Sequence, residues 1–218
     1  MKPIPRFRRT GRSALTVFAL IAAGPLAIAE LDSPATQPAP AQSAAAQPPF
    51  VVSDELAALW AEHGLAPVTD EGLEVMAAHN GLWARMAEGD VDGAMDRFAA
   101  MSDEGVHERM RSAMDGAVAM VQAGEIQIEP TYAVVRGDWA IVSSRVVMQH
   151  GDHTHTNVGD DLAVREGGRW FIVNAGMLGD DRIGALRVQE DLVELHDWKT
   201  EHAGVLREIA AGLAAPNP

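Results

Sequence analysis

The sequence of 218 residues contains no cysteine. This absence excludes disulfide bonds, thiolate metal sites and cysteine nucleophiles, and it excludes the lipid anchor of bacterial lipoproteins, which is attached to a cysteine. The chain also lacks a glycine-rich phosphate loop, a GxSxG nucleophile motif and an HExxH zinc motif. Any chemistry therefore has to be sought in less specific patterns.

Basic residues are scarce, with 17 Lys and Arg against 31 Asp and Glu. Five of the 17 lie within the first 29 residues, so the rest of the chain has 12 basic and 31 acidic residues and a net charge of −19. Binding of nucleic acid or anionic lipid depends on Lys and Arg that neutralise phosphates. We therefore expect neither of these as a partner.

Long apolar runs are also missing, apart from residues 14–26. This run follows a start with basic and no acidic residues, and the sequence AIA follows it, a small-x-small cleavage pattern. This order predicts a secretory signal peptide over residues 1–29. The run is shorter than the roughly 20 residues that span a bilayer. We expect a periplasmic or secreted protein with no membrane span in the mature chain, although an uncleaved signal would leave it tethered.

Proline is concentrated behind the predicted signal. Residues 31–49 hold five of the 12 prolines, no aromatic residue and one charge, Asp32. Such a segment buries too little to offset its ordering entropy, and proline favours extended conformations. We predict a Pro/Ala-rich disordered linker over residues 30–49 and a single domain over residues 50–215.

The first half of this domain has the pattern of helices, because apolar residues recur at three- and four-residue spacing. Ser53 and Thr69 are positioned to cap the first two helices, Gly89 to end the second and Gly124 to end the fourth. No strand is expected after the third helix, since residues 99–121 have a helical pattern throughout. The predicted helices begin near residues 54, 70, 91 and 102.

The pattern then changes to that of strands rich in β-branched residues. Short links that contain glycine separate them, and links of this length join antiparallel neighbours. The predicted strands are residues 126–135, 139–149, 154–165 and 170–177.

A long helical stretch, residues 182–213, ends the domain. It carries an apolar stripe of the kind that packs on the helix's own domain. The alternative is a homodimer through this C-terminal helix, because the stripe is longer than one small sheet needs. The stripe consists of Val188, Leu192, Leu195, Trp198, His202, Val205, Ile209 and Leu213.

Three segments carry a resemblance to a known superfamily. They are residues 87–94 (AEGDVDGA) leading to Phe98, residues 137–142 (GDWAIV) and residues 166–173 (EGGRWFIV). Helices followed by a four-stranded antiparallel meander with these turns resemble the nuclear-transport-factor-2-like superfamily, including its SnoaL-like, polyketide-cyclase-like branch. The resemblance covers about residues 70–177. It implies an α+β fold in which N-terminal helices pack on a curved four-stranded antiparallel sheet, with the long C-terminal helix as an addition.

The superfamily includes isomerases, cyclases, dehydratases and non-catalytic binding domains, so the fold does not select an activity. Its enzymes place a titratable residue among apolar walls of a helix–sheet pocket. Five residues could face inward here, and of these Asp161 is the candidate base, with Arg145 or Asn174 supporting the charge. The alternative is a bulge at Gly159 that turns both Asp160 and Asp161 to solvent. The other two residues that could face inward are Tyr132 and His79.

Two further patterns suggest binding. The helical half is rich in methionine, whose flexible side chain suits a pocket for apolar ligands but more often fills a core. The candidate ligand pocket is Tyr132, Trp83, Met110 and Met114. The turn near residue 151 carries His150, His153 and His155, which could bind zinc or copper but equally fit an exposed hairpin tip.

These observations favour an exported domain that binds a small apolar molecule or an envelope protein without catalysis, and no cofactor is expected. The alternatives are an isomerase, dehydratase or cyclase that uses Asp161, and a periplasmic metal-binding protein that uses the three histidines.

Overall fold

The computed structural model of the protein describes residues 48–174, Met177, Asp180, Asp181 and residues 190–213, except the side chains of His150 and Glu190. All of these belong to one compact unit. The predicted signal peptide and most of the predicted linker lie outside the described residues. Among the described helices, none is long and apolar enough to cross a membrane.

The first helices begin where the sequence offers a capping side chain. The Ser53 and Thr69 hydroxyls accept hydrogen bonds from the backbone of the first turns, and the Asp90 and Asp103 carboxylates do the same for the next two helices. Gly89 ends the second helix with φ 78°, a left-handed conformation that favours glycine. The helices are α1 (Asp54–Glu62), α2 (Asp70–Glu88), α3 (Val91–Met95) and α4 (Glu104–Gln122).

Four strands form one antiparallel sheet in the order β1-β2-β3-β4, as predicted. Tight turns join them, and a glycine with positive φ lies in each turn. The fourth strand is shorter than predicted, because pairing with β3 ends at Val173 and Met177 lies beyond it. The strands are β1 (Ile126–Arg136), β2 (Trp139–His150), β3 (His153–Glu166) and β4 (Arg169–Val173).

The expectation that no strand follows the third helix is wrong in one respect. Phe98 forms a parallel bridge with Ile172 of β4. The Ile172 amide donates to the Arg97 carbonyl at 2.8 Å, and the Ala99 amide donates to the Ile172 carbonyl at 2.9 Å. The segment before α4 is therefore paired at the edge of the sheet, and α4 begins only at Glu104.

The strand that carries the two candidate carboxylates is regular. β3 pairs with β2 without a shift through Gly159, so the bulge considered there does not form, and the one register shift lies in β1 between Pro130 and Tyr132. Because side chains alternate along a strand, Asp160 and Asp161 point to opposite faces of the sheet.

Each face of the sheet is covered by one long helix. We call the face that packs against α2 the inner face, which carries Val142 and Asp161, and the opposite face the outer face. The fifth helix, α5 (Glu190–Gly212), packs on the outer face across β1, β2 and β3. Its residues Leu195, Leu206 and Ile209 are fully buried there. The apolar stripe therefore packs on its own domain, and Val188 lies outside the described residues.

The chain has a single tyrosine, Tyr132, whose ring stacks on Trp198 of α5. Its hydroxyl donates to the Ala66 carbonyl at 2.9 Å, and burial raises the pKa of the phenol. The pKa of a tyrosine in an unfolded chain is about 10. Because the pKa of Tyr132 is higher in the folded protein, its contribution to stability is complete below about pH 10 and is lost as the pH rises through the pKa of the folded state.

We therefore expect phenolate absorbance of the native protein to appear only above about pH 10 and together with a loss of stability. Spectrophotometric titration measures this without interference from other tyrosines. Tyr132→Phe should show no such absorbance and a smaller loss of stability at high pH. A native titration that coincides with that of the unfolded chain would contradict the burial of this hydroxyl.

Candidate functional site

A histidine and a carboxylate meet between the helical layer and the sheet. His79 lies in the middle of α2, and its Nε2 is 2.9 Å from Oδ2 of Asp161 on β3. The His79 side chain is 0% exposed, whereas that of Asp161 is 28% exposed. Within the described part of the chain, His79 is the one side chain that hydrogen-bonds the Asp161 carboxylate. The imidazole thus anchors one carboxylate oxygen, while the Asp161 side chain as a whole stays partly exposed.

Trp83, one turn after His79 on α2, directs its indole N–H at the same imidazole nitrogen, at 3.2 Å. An indole N–H can only donate, and an ionised carboxylate can only accept. Nε2 cannot accept from Trp83 and donate to Asp161 at once. The shorter distance and the charge of the carboxylate favour an Nε2–H that donates to Asp161. With the proton on Nε2, the contact with Asp161 is therefore a hydrogen bond and the indole N–H of Trp83 finds no acceptor in this nitrogen.

Two buried polar atoms beside this pair have no hydrogen-bond partner. One is Nδ1 of His79, and the other is the hydroxyl of Ser144. Ser144 lies opposite Gly159 in the β2–β3 pairing, so it shares the inner face with Asp161. Buried polar groups are normally hydrogen-bonded, because leaving one unpaired costs roughly 1–3 kcal/mol. The inner face therefore offers unused hydrogen-bonding capacity next to an accessible carboxylate.

The structure does not bring the three candidate catalytic residues together. Asp161 is on the inner face, but Arg145 is on the outer face, because its partner in β3 is Val158, three residues away from Asp161. There Arg145 donates to the Leu213 carbonyl at 2.8 Å and pairs with Glu129 at 3.3 Å. Asn174 follows the end of β4, and its carbonyl accepts from the Met177 amide.

The candidate ligand-pocket residues are likewise divided between the two faces. Met110 and Met114 are buried in the core on α4, and Trp83 is on α2. Tyr132 is on the outer face, where it contacts Trp60 of α1 and Trp198 of α5. These four side chains therefore do not line one cavity.

The outer face carries a small cleft of about 150 Å³ between β3 and α5. In it, Asp160 accepts a hydrogen bond from Ser143 at 2.6 Å and pairs with Lys199 at 2.8 Å. Both carboxylate oxygens of Asp160 are thus engaged, in contrast to those of Asp161. The cleft is lined by Val158, Asp160, Lys199, Ala203, Leu206 and Arg207.

The candidate metal ligands lie at the tip of the β2–β3 hairpin. His150 pairs with His153 through the backbone, and the side chains of His153 and His155 are exposed. In the described part of the chain, no three His, Asp or Glu side chains are grouped closely enough to hold a metal ion. Metal binding by this cluster stays a prediction.

The sequence alone does not predict two contacts of the structure, the pairing of His79 with Asp161 and the hydrogen bonds of Asp180. His79 is among the residues expected to face inward, but its partner is 82 positions away and no local pattern connects them. Asp180 gives no signal at all, although its buried carboxylate accepts hydrogen bonds from the Ser102 and Asp103 amides at 2.6 and 2.8 Å and from the Ser102 hydroxyl at 3.0 Å.

Comparison with known proteins finds similarity in solved structures only. No protein-family profile matches the sequence, and no curated protein does. One similar structure is an NTF-2-like protein of unknown function from Shewanella oneidensis MR-1, with 17% identity over 45% of this chain and 91% of that chain and a TM-score of 0.36.

Two further structures have comparable similarity. A putative calcium/calmodulin-dependent protein kinase type II association domain from Thiobacillus denitrificans has 18% identity over 44% of this chain and 87% of that chain, with a TM-score of 0.34. An LEH-like epoxide hydrolase from M. tuberculosis has 14% identity over 58% of this chain and 98% of that chain, with a TM-score of 0.32. At these identities the likeness concerns the fold alone. With TM-scores of 0.32–0.36, these likenesses assign neither a family nor an activity to the chain.

Proposed function

We propose that this domain catalyses proton transfer on a small molecule, with Asp161 as the group that exchanges the proton. The observation that carries the proposal is the 2.9 Å contact between His79 and Asp161, in which the histidine is fully buried and the carboxylate is partly exposed. A general base has to reach its substrate, and a fixed orientation makes it effective. His79 acts as the positioning residue because it cannot itself reach solvent.

The chemistry that fits one accessible carboxylate is proton abstraction next to a carbonyl. Asp161 takes a proton from carbon, the C–H electron pair moves into the carbonyl system, and an enolate forms. Return of the proton to a different carbon completes an isomerisation. The Ser144 hydroxyl lies on the same face without a described hydrogen-bond partner, but it is buried, so we assign it no contact with the substrate. This chemistry needs no cofactor.

A binding function without catalysis has less support. The large hydrophobic side chains that the described residues expose are Val51 and Val193, which are far apart in the sequence. Among the described residues, the stripe of α5 packs within the domain, so this helix does not offer it to an envelope protein. Binding of an envelope protein stays a prediction from the sequence.

The proposal is tested by deuterium exchange at carbon. The protein is incubated in D₂O with a panel of small ketones that carry acidic C–H groups, and ¹H NMR follows the loss of the signal next to the carbonyl. We expect at least one ketone to exchange faster than in buffer and than with heat-denatured protein. Exchange at the buffer rate for every ketone would contradict the proposal.

We further propose that the protein is exported, which rests on the basic start and the short apolar run of residues 1–29. In an exporting bacterial host, we expect the purified protein to begin at Glu30. Intact-mass spectrometry measures this directly. A chain that keeps Lys2 and its four basic neighbours in the cell envelope fraction would indicate an uncleaved signal, and one found only in the cytoplasm would contradict export.

A further inference from the structure

Two arginines flank one phenylalanine at the edge of the sheet where β4 meets the segment before α4. Arg169 of β4 lies with its guanidinium 5.1 Å from the centre of the Phe171 ring. Arg97 lies on the neighbouring segment, where the parallel bridge between Phe98 and Ile172 sets Arg97 level with Phe171. In paired strands, residues at the same level point to the same side. Both guanidinium groups therefore belong to one small surface.

Neither guanidinium forms an ion pair within the described part of the chain. Among the ten described cationic side chains, six form ion pairs with carboxylates, but Arg97 and Arg169 form none with any described residue. Nη1 of Arg97 is buried and has no hydrogen-bond partner. The whole chain has 31 acidic residues, so carboxylate partners are abundant. Arg109 and Arg207 also form no ion pair with a described residue, but Arg97 and Arg169 differ from them because their charges repel each other and because Nη1 of Arg97 has no hydrogen-bond partner.

The surroundings make this positive charge costly. Burial lowers the pKa of the Arg97 guanidinium, the charges of Arg85 and Arg169 lower it further, and only Asp96 acts in the opposite direction. Arg85 is itself paired with Glu88 and Asp90. The excess charge is therefore that of Arg97 and Arg169, and an anion placed between them would relieve both the repulsion and the unmet hydrogen bond.

We propose that Arg97 and Arg169 bind the phosphate group of a small molecule. A phosphate monoester carries a charge near −2 at neutral pH, which matches two guanidinium groups, whereas a carboxylate carries −1. The planar N–H fork of arginine also fits phosphate oxygens in a bidentate manner. The inference is independent of the proton-transfer proposal, because it uses no residue of the His79–Asp161 pair.

Inorganic phosphate is the probe for this site. Isothermal titration of the full chain with inorganic phosphate should show binding, and Arg97→Gln and Arg169→Gln should each weaken it by about tenfold or more, since each removes charge-assisted hydrogen bonds. Arg109→Gln is the matched control, because Arg109 also has no ion pair with a described residue but lies on α4. We expect its affinity to equal that of the parent.

The melting temperatures of the variants show whether a loss of phosphate binding comes from the site or from unfolding. Arg97→Gln removes a partly buried charge that has no ion pair with a described residue, so we expect its melting temperature to equal or exceed that of the parent. Should Arg97→Gln fail to fold, the exposed Arg169→Gln decides alone. Equal phosphate affinity in parent and variants, affinity for acetate as high as for phosphate, or binding to phosphatidic acid vesicles without binding of inorganic phosphate would each overturn the proposal.

Discussion

Asp161→Asn is expected to slow proton exchange by about 10²- to 10⁴-fold, the usual contribution of a positioned general base. Asparagine has nearly the same shape as aspartate and can still accept a hydrogen bond from Nε2 of His79, so the helix–sheet packing should be preserved. It cannot take up a proton, so the chemical step is lost. The measurement is the rate of deuterium incorporation into the ketone that the parent protein exchanges fastest.

Asp160→Asn is the matched control for this prediction. Asp160 is the adjacent residue and also a carboxylate, but it points to the outer face, where Ser143 and Lys199 engage it. Its replacement weakens one ion pair and should leave the exchange rate within about twofold of the parent, because surface ion pairs contribute little. Equal losses in the two variants, or full activity of Asp161→Asn, would contradict the assignment of Asp161 as the base.

Asp180→Ala is expected to lower the free energy of unfolding by about 3–5 kcal/mol. The Asp180 side chain is buried, and its carboxylate accepts hydrogen bonds from the two amides and one hydroxyl of Ser102 and Asp103, just before α4. Alanine would leave these donors without their acceptor and open a gap in the packing. The shift in the urea unfolding midpoint at an unchanged slope measures the effect.

The neighbouring Asp181 supplies the control for the stability prediction. Its side chain is exposed, so Asp181→Ala should change the free energy of unfolding by no more than about 0.5 kcal/mol. Asp180→Asn is an informative third variant, because it keeps the volume but removes the charge and one acceptor. If Asp180→Ala and Asp181→Ala are equally stable, the hydrogen bonds of Asp180 do not hold the segment after β4 against the start of α4.

The parts of the fold that depend on neighbouring residues could be predicted from the sequence. Ser53 and Thr69 cap their helices because the hydroxyl reaches amides only three positions ahead. Gly89 ends α2, and glycines occupy the hairpin turns, because few other residues adopt a positive φ. These signals also carry the resemblance to the superfamily, which is why the sheet order could be expected.

The parts that depend on distant residues could not be predicted. Asp161 and Arg145 look compatible as a catalytic pair until the register is known, and pairing of Arg145 with Val158 then separates them by the thickness of the sheet. The position of the bulge, in β1 and not at Gly159, decides that Asp161 faces α2. Nothing in the local sequence of His79 specifies which strand lies opposite it.

The hydrogen bond by which His79 holds Asp161 is tested most directly by locating the proton on the His79 ring. Two-bond ¹H–¹⁵N correlation spectra of the histidine rings report which nitrogen of His79 carries hydrogen. We expect a protonated Nε2 whose resonance is protected from exchange with water, is altered in Asp161→Asn and is unchanged in Asp160→Asn. An Nε2 without hydrogen that responds to neither substitution would show that His79 does not hold Asp161 in place by a hydrogen bond.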